Sequence, residues 1–198
     1  MTGSLVTRFV LEDFLAAAAH SYAASVPEQG RAGRLFLLGE TSQVLEGWRS
    51  WTDAVRLYAD VEYRPEWDAA AARTAAQFGV AVEQEFPGDL IPLPAGFEQR
   101  HRSVRDLSDS GLSLWHFDPY SVAFRHVARG DEPDYHIVLA YVKYGWIGKE
   151  EMEERLEALL PEFSMETIAQ DPAEFRRKYK GLLQMGERLE PGTVHRPF

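Results

Sequence analysis

Cysteine is absent from this 198-residue chain, and lysine occurs only four times. The lack of cysteine excludes a disulfide framework, zinc-finger and iron–sulfur sites, and a thiol nucleophile. No run of about 18 apolar residues is present, so the sequence predicts no membrane-spanning helix. The first residues lack the basic and apolar regions of a secretion signal, and the expected location is therefore the cytoplasm.

Basic residues are also scarce relative to acidic ones. The chain has 21 Lys and Arg against 31 Asp and Glu, which gives a formal net charge of −10. Broad nucleic-acid binding is not expected, because it requires many basic side chains to neutralise phosphates. A hydrophobic content of 45% and a charged content of 26% are typical of a globular protein. The length predicts one domain, or one domain with a small appendage.

The first two thirds of the sequence combine helix and strand patterns. Apolar spacing and alanine content predict helices over residues 8–24, 41–48 and 65–78. A buried apolar run and period-two alternation predict strands over residues 35–38, 55–61 and 80–86. Segments 102–107 and 112–117 flank turn residues and predict a hairpin.

The last third has only helical signals. Asp118-Pro119 and Asp171-Pro172 each predict a helix N-cap followed by proline in the first turn. The predicted helices cover residues 119–129, 133–144, 149–160 and 171–185. The fold class is therefore α/β (α+β), with a small mixed sheet and flanking helices over residues 1–117 and a C-terminal helical subdomain over residues 118–198 packed on it.

Segment 34–62 carries the most informative motif. The first predicted strand ends at Gly39-Glu40-Thr41, a short helix follows, and Arg49 precedes the strand that contains residues 52–57. This order resembles the nucleotidyltransferase fold shared with DNA polymerase β, in particular the minimal bacterial nucleotidyltransferase-like proteins, which include toxin-type members. The resemblance implies a Gly-Gly-Ser or Gly-Gly-Thr motif against a triphosphate, and an Asp-x-Asp motif that holds two magnesium ions.

Two downstream segments extend the resemblance over roughly residues 30–150. Residues 91–100 are similar to a Pro-Leu-Pro-x-Gly-aromatic-Glu stretch of these proteins. Residues 115–130 resemble their helix after the sheet, which usually has lysine where His126 stands and then Ala-Arg-Gly, here ending at Arg129 and Gly130. A later aspartate of the family corresponds to Asp134, whereas a further expected acid falls on Ile137.

The chain departs from the family at the metal-binding positions. Aligned on Thr52 and Leu57, the two aspartates fall on Ala54 and Arg56, and Glu40 replaces the second glycine. Ala54 offers no oxygen ligand to magnesium. A guanidinium ~4 Å from a divalent ion is repelled by about 8 kcal/mol at an effective dielectric of ~20. The sequence therefore predicts the loss of two-metal nucleotidyl transfer.

Asp53 and Asp60 are the alternative metal ligands. Asp53 is adjacent to Ala54, and successive side chains of a continuous strand point to opposite faces. Asp60 shares the face of Arg56 but lies ~13 Å along the strand, at a rise of ~3.3 Å per residue. Both are therefore expected to be poorly placed for one centre.

The remaining candidates each allow two interpretations. Gly39 suits either a strand-to-helix turn or a close approach to phosphate. Arg56 suits an internal ion pair with Asp60 or Glu40 in place of a lost metal, or direct contact with phosphate. His126 suits a general base or phosphate ligand, or a partly buried helix histidine. The ligand-binding candidates are Gly39, Glu40, Thr41, Arg49, Arg56, His126 and Arg129.

Other polar and aromatic residues are expected to be structural. Arg129 and Asp134 are expected to cap or pair helices, and Trp48 and Trp51 to lie in the core or in a pocket wall. The histidines at 101, 116 and 136 lack metal-ligand spacing. No Gly-x-Ser-x-Gly or Walker motif occurs, so those hydrolase and NTPase classes have no support.

These observations lead to one main functional hypothesis and two alternatives. The main hypothesis is a nucleotidyltransferase-like protein that has lost catalysis and binds a nucleotide, another phosphate ligand or a protein partner, with no cofactor. The first alternative is an active, divergent, toxin-like nucleotidyltransferase that uses magnesium to transfer a nucleoside monophosphate to RNA or protein. The second is a structural subunit that forms a homodimer.

Overall fold

The computed structural model describes residues 5–163 and 171–189, which form two compact units. The first unit holds the described residues up to Phe86 together with Gly96–Val122, and the second holds Pro87–Ala95 and the described residues from Ala123 onward. This division differs from the predicted boundary after residue 117. The last residues of the predicted C-terminal subdomain, 190–198, lie outside the described residues.

A mixed five-stranded sheet forms the centre of the first unit. The order of its strands is β5-β4-β2-β7-β6, and β1 and β3 form a separate two-stranded ribbon. Strand β2 is antiparallel to β4 and parallel to β7, β4 is parallel to β5, and β6 is antiparallel to β7. In chain order the strands are β1 (Val6–Thr7), β2 (Gly33–Leu37), β3 (Trp51–Thr52), β4 (Ala54–Val61), β5 (Ala81–Gln84), β6 (Arg102–Leu107) and β7 (Leu112–His116).

The core of the first unit lies between one face of this sheet and two helices. The helices of this unit are α1 (Arg8–Ala23), α2 (Gly39–Leu45), α3 (Arg64–Phe78) and the beginning of α4 (Pro119–Arg129). Leu35, Leu57 and Leu114 point into the core, where they join Phe14 of α1 and Trp67 of α3. Because side chains alternate along a strand, the even-numbered residues of β2 and β4 lie on the opposite face of the sheet.

The second unit is helical. It contains the end of α4 with α5 (Glu132–Lys143), α6 (Lys149–Leu159) and α7 (Pro172–Leu189). The rings of Phe124 and Phe175 lie 6.1 Å apart, and the Tyr135 hydroxyl donates to the Lys178 carbonyl over 2.7 Å. These contacts join α4 and α5 to α7. None of the helices in the described part of the chain has both the length and the apolarity of a membrane span.

The mixed α/β architecture and most predicted elements are confirmed. Helix α4 has the predicted bounds, and the other predicted helices end within a few residues of the observed ones. The ribbon of β1 and β3 was not predicted, because two-residue strands have no periodicity. The predicted strand over residues 80–86 is shorter, since β5 ends at Gln84. The predicted continuous strand through Asp53 is wrong, because the chain bends there and β4 begins at Ala54.

Candidate functional site

Gly39 forms the turn between β2 and α2. The Leu38 amide donates to the Arg56 carbonyl over 3.1 Å, and the chain then turns at Gly39 with φ +49° into the helix. That positive φ lies in the left-handed region, where a Cβ atom is unfavourable. Gly39 thus has a conformational role at the point where the helix starts beside β4.

The Thr41 hydroxyl is held by backbone groups of β4. It accepts a hydrogen bond from the Arg56 amide over 2.8 Å and donates to the Ala54 carbonyl over 3.4 Å. Thr41 is fully buried. These bonds attach the first turn of α2 to β4, and they account for the hydroxyl without a ligand.

Arg56 is surrounded by three carboxylates. Its Nη1 atom lies 2.9 Å from Oε2 of Glu40 and 2.9 Å from Oδ1 of Asp53, and its Nε atom lies 2.9 Å from Oε2 of Glu83. The pairing predicted with Glu40 is confirmed. The pairing predicted with Asp60 is wrong, because Asp60 faces Arg34 across the β2–β4 register and binds its Nη2 atom at 2.7 Å.

Asp53 lies beside Arg56 rather than on the opposite face of the sheet. The prediction that it points away assumed one continuous strand, and the bend at Asp53 removes that constraint. The hydrogen bond from Arg56 lowers the pKa of Asp53 below its ordinary value, although burial acts in the other direction. Asp53 therefore serves as an ionised partner of Arg56.

Arg49 completes the group from the loop after α2. Its Nη1 atom lies 2.7 Å from Oε1 of Glu40, and its Nε atom donates to the Trp51 carbonyl over 2.8 Å. The guanidinium lies 5.9 Å from the centroid of the Trp51 ring. The indole is 44% exposed, so Trp51 does not lie in the core, whereas Trp48 is half-buried. In strand β3, which pairs with β1, the side chain of Thr52 is buried and that of Trp51 faces solvent.

These five side chains, Glu40, Arg49, Asp53, Arg56 and Glu83, are called the Arg56 cluster below. Its three carboxylates and two guanidiniums have a formal net charge of −1. Burial disfavours the charged form of Arg56, but the three carboxylates outweigh it and raise the pKa of Arg56. The side chain is 15% exposed, so the arginine acts as a fixed cation near the start of β4.

His126 and Arg129 belong to the second unit. Nδ1 of His126 lies 2.6 Å from Oδ1 of Asp134, and Nη1 of Arg129 lies 3.9 Å from the same oxygen. Arg129 and Asp134 were expected to cap or pair helices, and the structure places them in contact between the end of α4 and the start of α5. Asp134, at the start of α5, orients the imidazole of α4, and the histidine is buried. The structure thus groups these three residues within one unit and the Arg56 cluster within the other.

Two histidines of the first unit, the buried His116 and the half-buried His101, have specific partners that sequence analysis missed. Nδ1 of His116 lies 3.0 Å from the Ser42 hydroxyl, and Nε2 lies 2.9 Å from Oε1 of Glu46. Burial lowers the pKa of His116 despite the opposing effect of Glu46. Ser42 is itself buried, so this serine–histidine–carboxylate chain joins α2 to β7 and does not present a nucleophile. The four-residue spacing of Ser42 and Glu46 places both side chains on one helix face, and this spacing was the sequence signal for a shared partner.

Asp118 is a second buried polar centre. Its carboxylate receives bonds from Nε and Nη2 of Arg100 at 2.8 and 2.9 Å and from the Ser121 amide at 3.2 Å. The predicted N-cap role of Asp118 is confirmed. The Asp118 amide donates to Nδ1 of His101 over 3.0 Å, and burial lowers the pKa of that histidine.

No protein-family model matches the sequence, and comparisons with curated proteins and with solved structures give no match.

Proposed function

We propose that this chain is a nucleotidyltransferase-like protein in which the Arg56 cluster replaces the metal centre, so that it binds a partner and does not transfer nucleotides. The observation that carries the proposal is the contact of one guanidinium with the carboxylates of Glu40, Asp53 and Glu83, each at 2.9 Å. A fixed internal cation there neutralises acidic side chains that would otherwise attract a divalent ion.

The order of elements supports the resemblance on which this proposal depends. Strand β2 ends in the turn at Gly39, helix α2 follows, and β4 lies antiparallel to β2 with Ala54 and Arg56 near its start. This is the order expected from the nucleotidyltransferase-like proteins. The match in element order supports an ancestral nucleotide site where β2 ends and β4 begins.

The residues at the two metal positions do not fit magnesium. Magnesium prefers an octahedral set of oxygen ligands. The buried side chain of Ala54 is a methyl group, and Arg56 brings a positive charge that its carboxylate partners already balance. We therefore derive no catalytic step through a metal ion.

A protein partner fits this surface better than a phosphate ligand does. The guanidiniums of Arg49 and Arg56 already hold carboxylates, and the formal charge of the cluster is negative, so a phosphate would be repelled. Phe9, 72% exposed, and Trp51, 44% exposed, lie on or next to the β1–β3 ribbon. Exposed aromatic side chains near arginine are typical of protein–protein interfaces.

Calorimetry of nucleotide binding tests this proposal. ATP and GTP are titrated into the wild-type chain with and without magnesium, and each sample is then assayed for transfer of labelled nucleotide to RNA and protein. We expect neither binding nor transfer. The Ala54→Asp/Arg56→Asp variant returns carboxylates to both positions and is expected to bind magnesium. The matched control is Arg34→Ala/Asp60→Ala, which removes an ion pair from the same two strands.

Each positive result would contradict the proposal in a different way. Magnesium-dependent nucleotide binding with product formation by the wild type would establish the alternative, an active divergent nucleotidyltransferase that modifies RNA or protein. Metal-independent nucleotide binding that disappears in Arg56→Ala would show that Arg56 holds a phosphate.

A further inference from the structure

The second unit contains an open groove that no part of the proposed function uses. Its cavity volume is about 740 Å³, within the range of about 300–1,000 Å³ that is usual for small-molecule sites. Helices α5 and α7 supply most of the wall, and α6 contributes its first residue. The lining residues are His136, Leu139, Ala140, Val142, Lys143, Lys149, Gly186 and Leu189.

The floor of the groove is apolar. Leu139, Ala140 and Val142 are only partly buried, and Leu189 is 55% exposed. Gly186 lies where α7 closely approaches α5, because a Cβ atom there would lie 3.1 Å from Cδ2 of Leu139. A glycine inside a helix costs stability relative to alanine, so its presence in α7 is consistent with this close approach of the two helices.

Two lysines line the groove. Lys143 ends α5 and Lys149 begins α6, and these are two of only four lysines in the chain. The Lys143 ammonium lies 5.5 Å from the centroid of the Tyr144 ring. Among the described residues that line the groove, none is acidic. The carboxylate of Glu132 lies 3.9 Å from the lining residue His136. In a chain of net charge −10, the two lysines are a local concentration of positive charge.

We propose that this groove binds a free medium-chain fatty acid. The alkyl chain lies along Leu139, Val142 and Leu189, and the carboxylate binds at Lys143 and Lys149. An apolar floor with two lysines in the lining complements an amphiphile with a single anionic head. All residues that line the groove belong to the second unit. The fatty-acid proposal therefore does not depend on the function proposed for the Arg56 cluster of the first unit.

Calorimetry with decanoate below its micelle concentration tests the site on the full chain. We expect saturable binding whose affinity rises about fourfold for each methylene buried, from octanoate to decanoate. Lys143→Gln and Lys149→Gln should each weaken binding by about five- to tenfold. Ala140→Phe should weaken binding because the added ring occupies part of the groove beside the alkyl chain. Lys180→Gln is the matched control, since Lys180 is an exposed lysine of α7 outside the lining.

Several results would overturn the proposal. Decylamine binding as tightly as decanoate would show that the lysines do not select an anion. Unchanged affinity in both lysine variants would place the ligand elsewhere. Binding to anionic phospholipid vesicles without binding to decanoate in solution would identify a membrane surface as the occupant. Thermal denaturation of each variant shows whether a loss of binding comes from a loss of folding.

Discussion

Glu40 bridges two arginines through its two carboxylate oxygens: Oε2 lies 2.9 Å from Nη1 of Arg56, and Oε1 lies 2.7 Å from Nη1 of Arg49. The first turn of α2 is thereby joined to β4 and to the loop after α2. Glu40 stands where the resemblance expects a glycine beside a triphosphate. This bridge stabilises the turn between β2 and α2.

Replacing Arg56 should destabilise the protein more than replacing a surface arginine on the neighbouring strand. Arg56→Met leaves Glu40, 16% exposed, with one cationic partner in place of two. We expect a loss of ~2 kcal/mol in the free energy of unfolding, less than the 3–5 kcal/mol typical of a fully buried pair, because Arg49 remains. Urea denaturation at pH 7 measures it.

Arg34→Met is the matched control for Arg56→Met. Arg34 pairs with Asp60 at 2.7 Å, but about half of each side chain is exposed. Solvent-exposed pairs contribute less than about 1 kcal/mol. Equal losses in the two variants would mean that the Arg56 cluster contributes no more than an ordinary surface pair.

The contribution of Asp53 should depend on pH. The pKa of Asp53 lies below its ordinary value of 3.8, chiefly through the hydrogen bond from Arg56. The stability from this pairing is therefore present above pH 3.8 and is lost as the pH falls through the lowered pKa. Asp53→Asn should cost less than about 1 kcal/mol at pH 7, because the carboxylate is largely exposed. Denaturation curves at pH 7, 5 and 3 should show the difference between wild type and variant decreasing at the acidic end.

His116 should make the protein less stable in mild acid. Its pKa is below the ordinary value of 6.5 because the ring is buried, so the unfolded chain takes up this proton first as the pH falls. Stability then decreases below pH 6.5 by up to ~1.4 kcal/mol per pH unit until the lowered pKa is reached. His116→Gln should remove this part of the slope, whereas the exposed control His136→Gln should keep it. Titration of the His116 imidazole by NMR at or above pH 6.5 would contradict the prediction.

Arg100 and Asp118 should be strongly coupled. Arg100→Met leaves a fully buried carboxylate without its bidentate partner, and we expect a loss of about 3 kcal/mol. Asp118→Asn keeps an acceptor for the α4 amides and should cost less. The double variant should be more stable than the sum of the two losses predicts, which a double-mutant cycle by urea denaturation would reveal. Additive losses would show that the pair is not a coupled unit.

Local signals made the helices of this chain predictable. The bounds of α4 follow from the Asp118 cap, the proline after it and Gly130, whose φ of +77° ends the helix. Helix caps depend on side chains within a few residues of the helix end, so the sequence alone can predict them. Strand pairs such as β1 and β3 lack that information, because each has two residues and depends on a partner about 45 positions away.

The sequence predicted part of the candidate site: Glu40, Arg49 and Arg56 were candidates, whereas Glu83 was not. The pairing of Arg56 with Glu40 followed from the segment 34–62, which places Glu40 just after β2 and Arg56 near the start of the neighbouring strand β4. The approach of Asp53 depends on a bend that strand periodicity does not encode, and Glu83 lies on β5 in parallel register with Arg56. His116 contacts Ser42, which is 74 positions earlier in the sequence. Local sequence patterns extend over only a few residues, so they could not predict this contact.

The position of β2 in the sheet has a consequence for how the first unit folds. Leu37 pairs with Leu57, 20 positions later, whereas Gly33 pairs with Leu112, 79 positions later. Closing the longer loop costs about 1 kcal/mol more in chain entropy. The β6–β7 hairpin can form locally, and its docking against β2 is then the step of highest contact order. The rate-limiting step in folding of this unit should therefore be the pairing of the preformed β6–β7 hairpin with β2 of the β2–β4 pair.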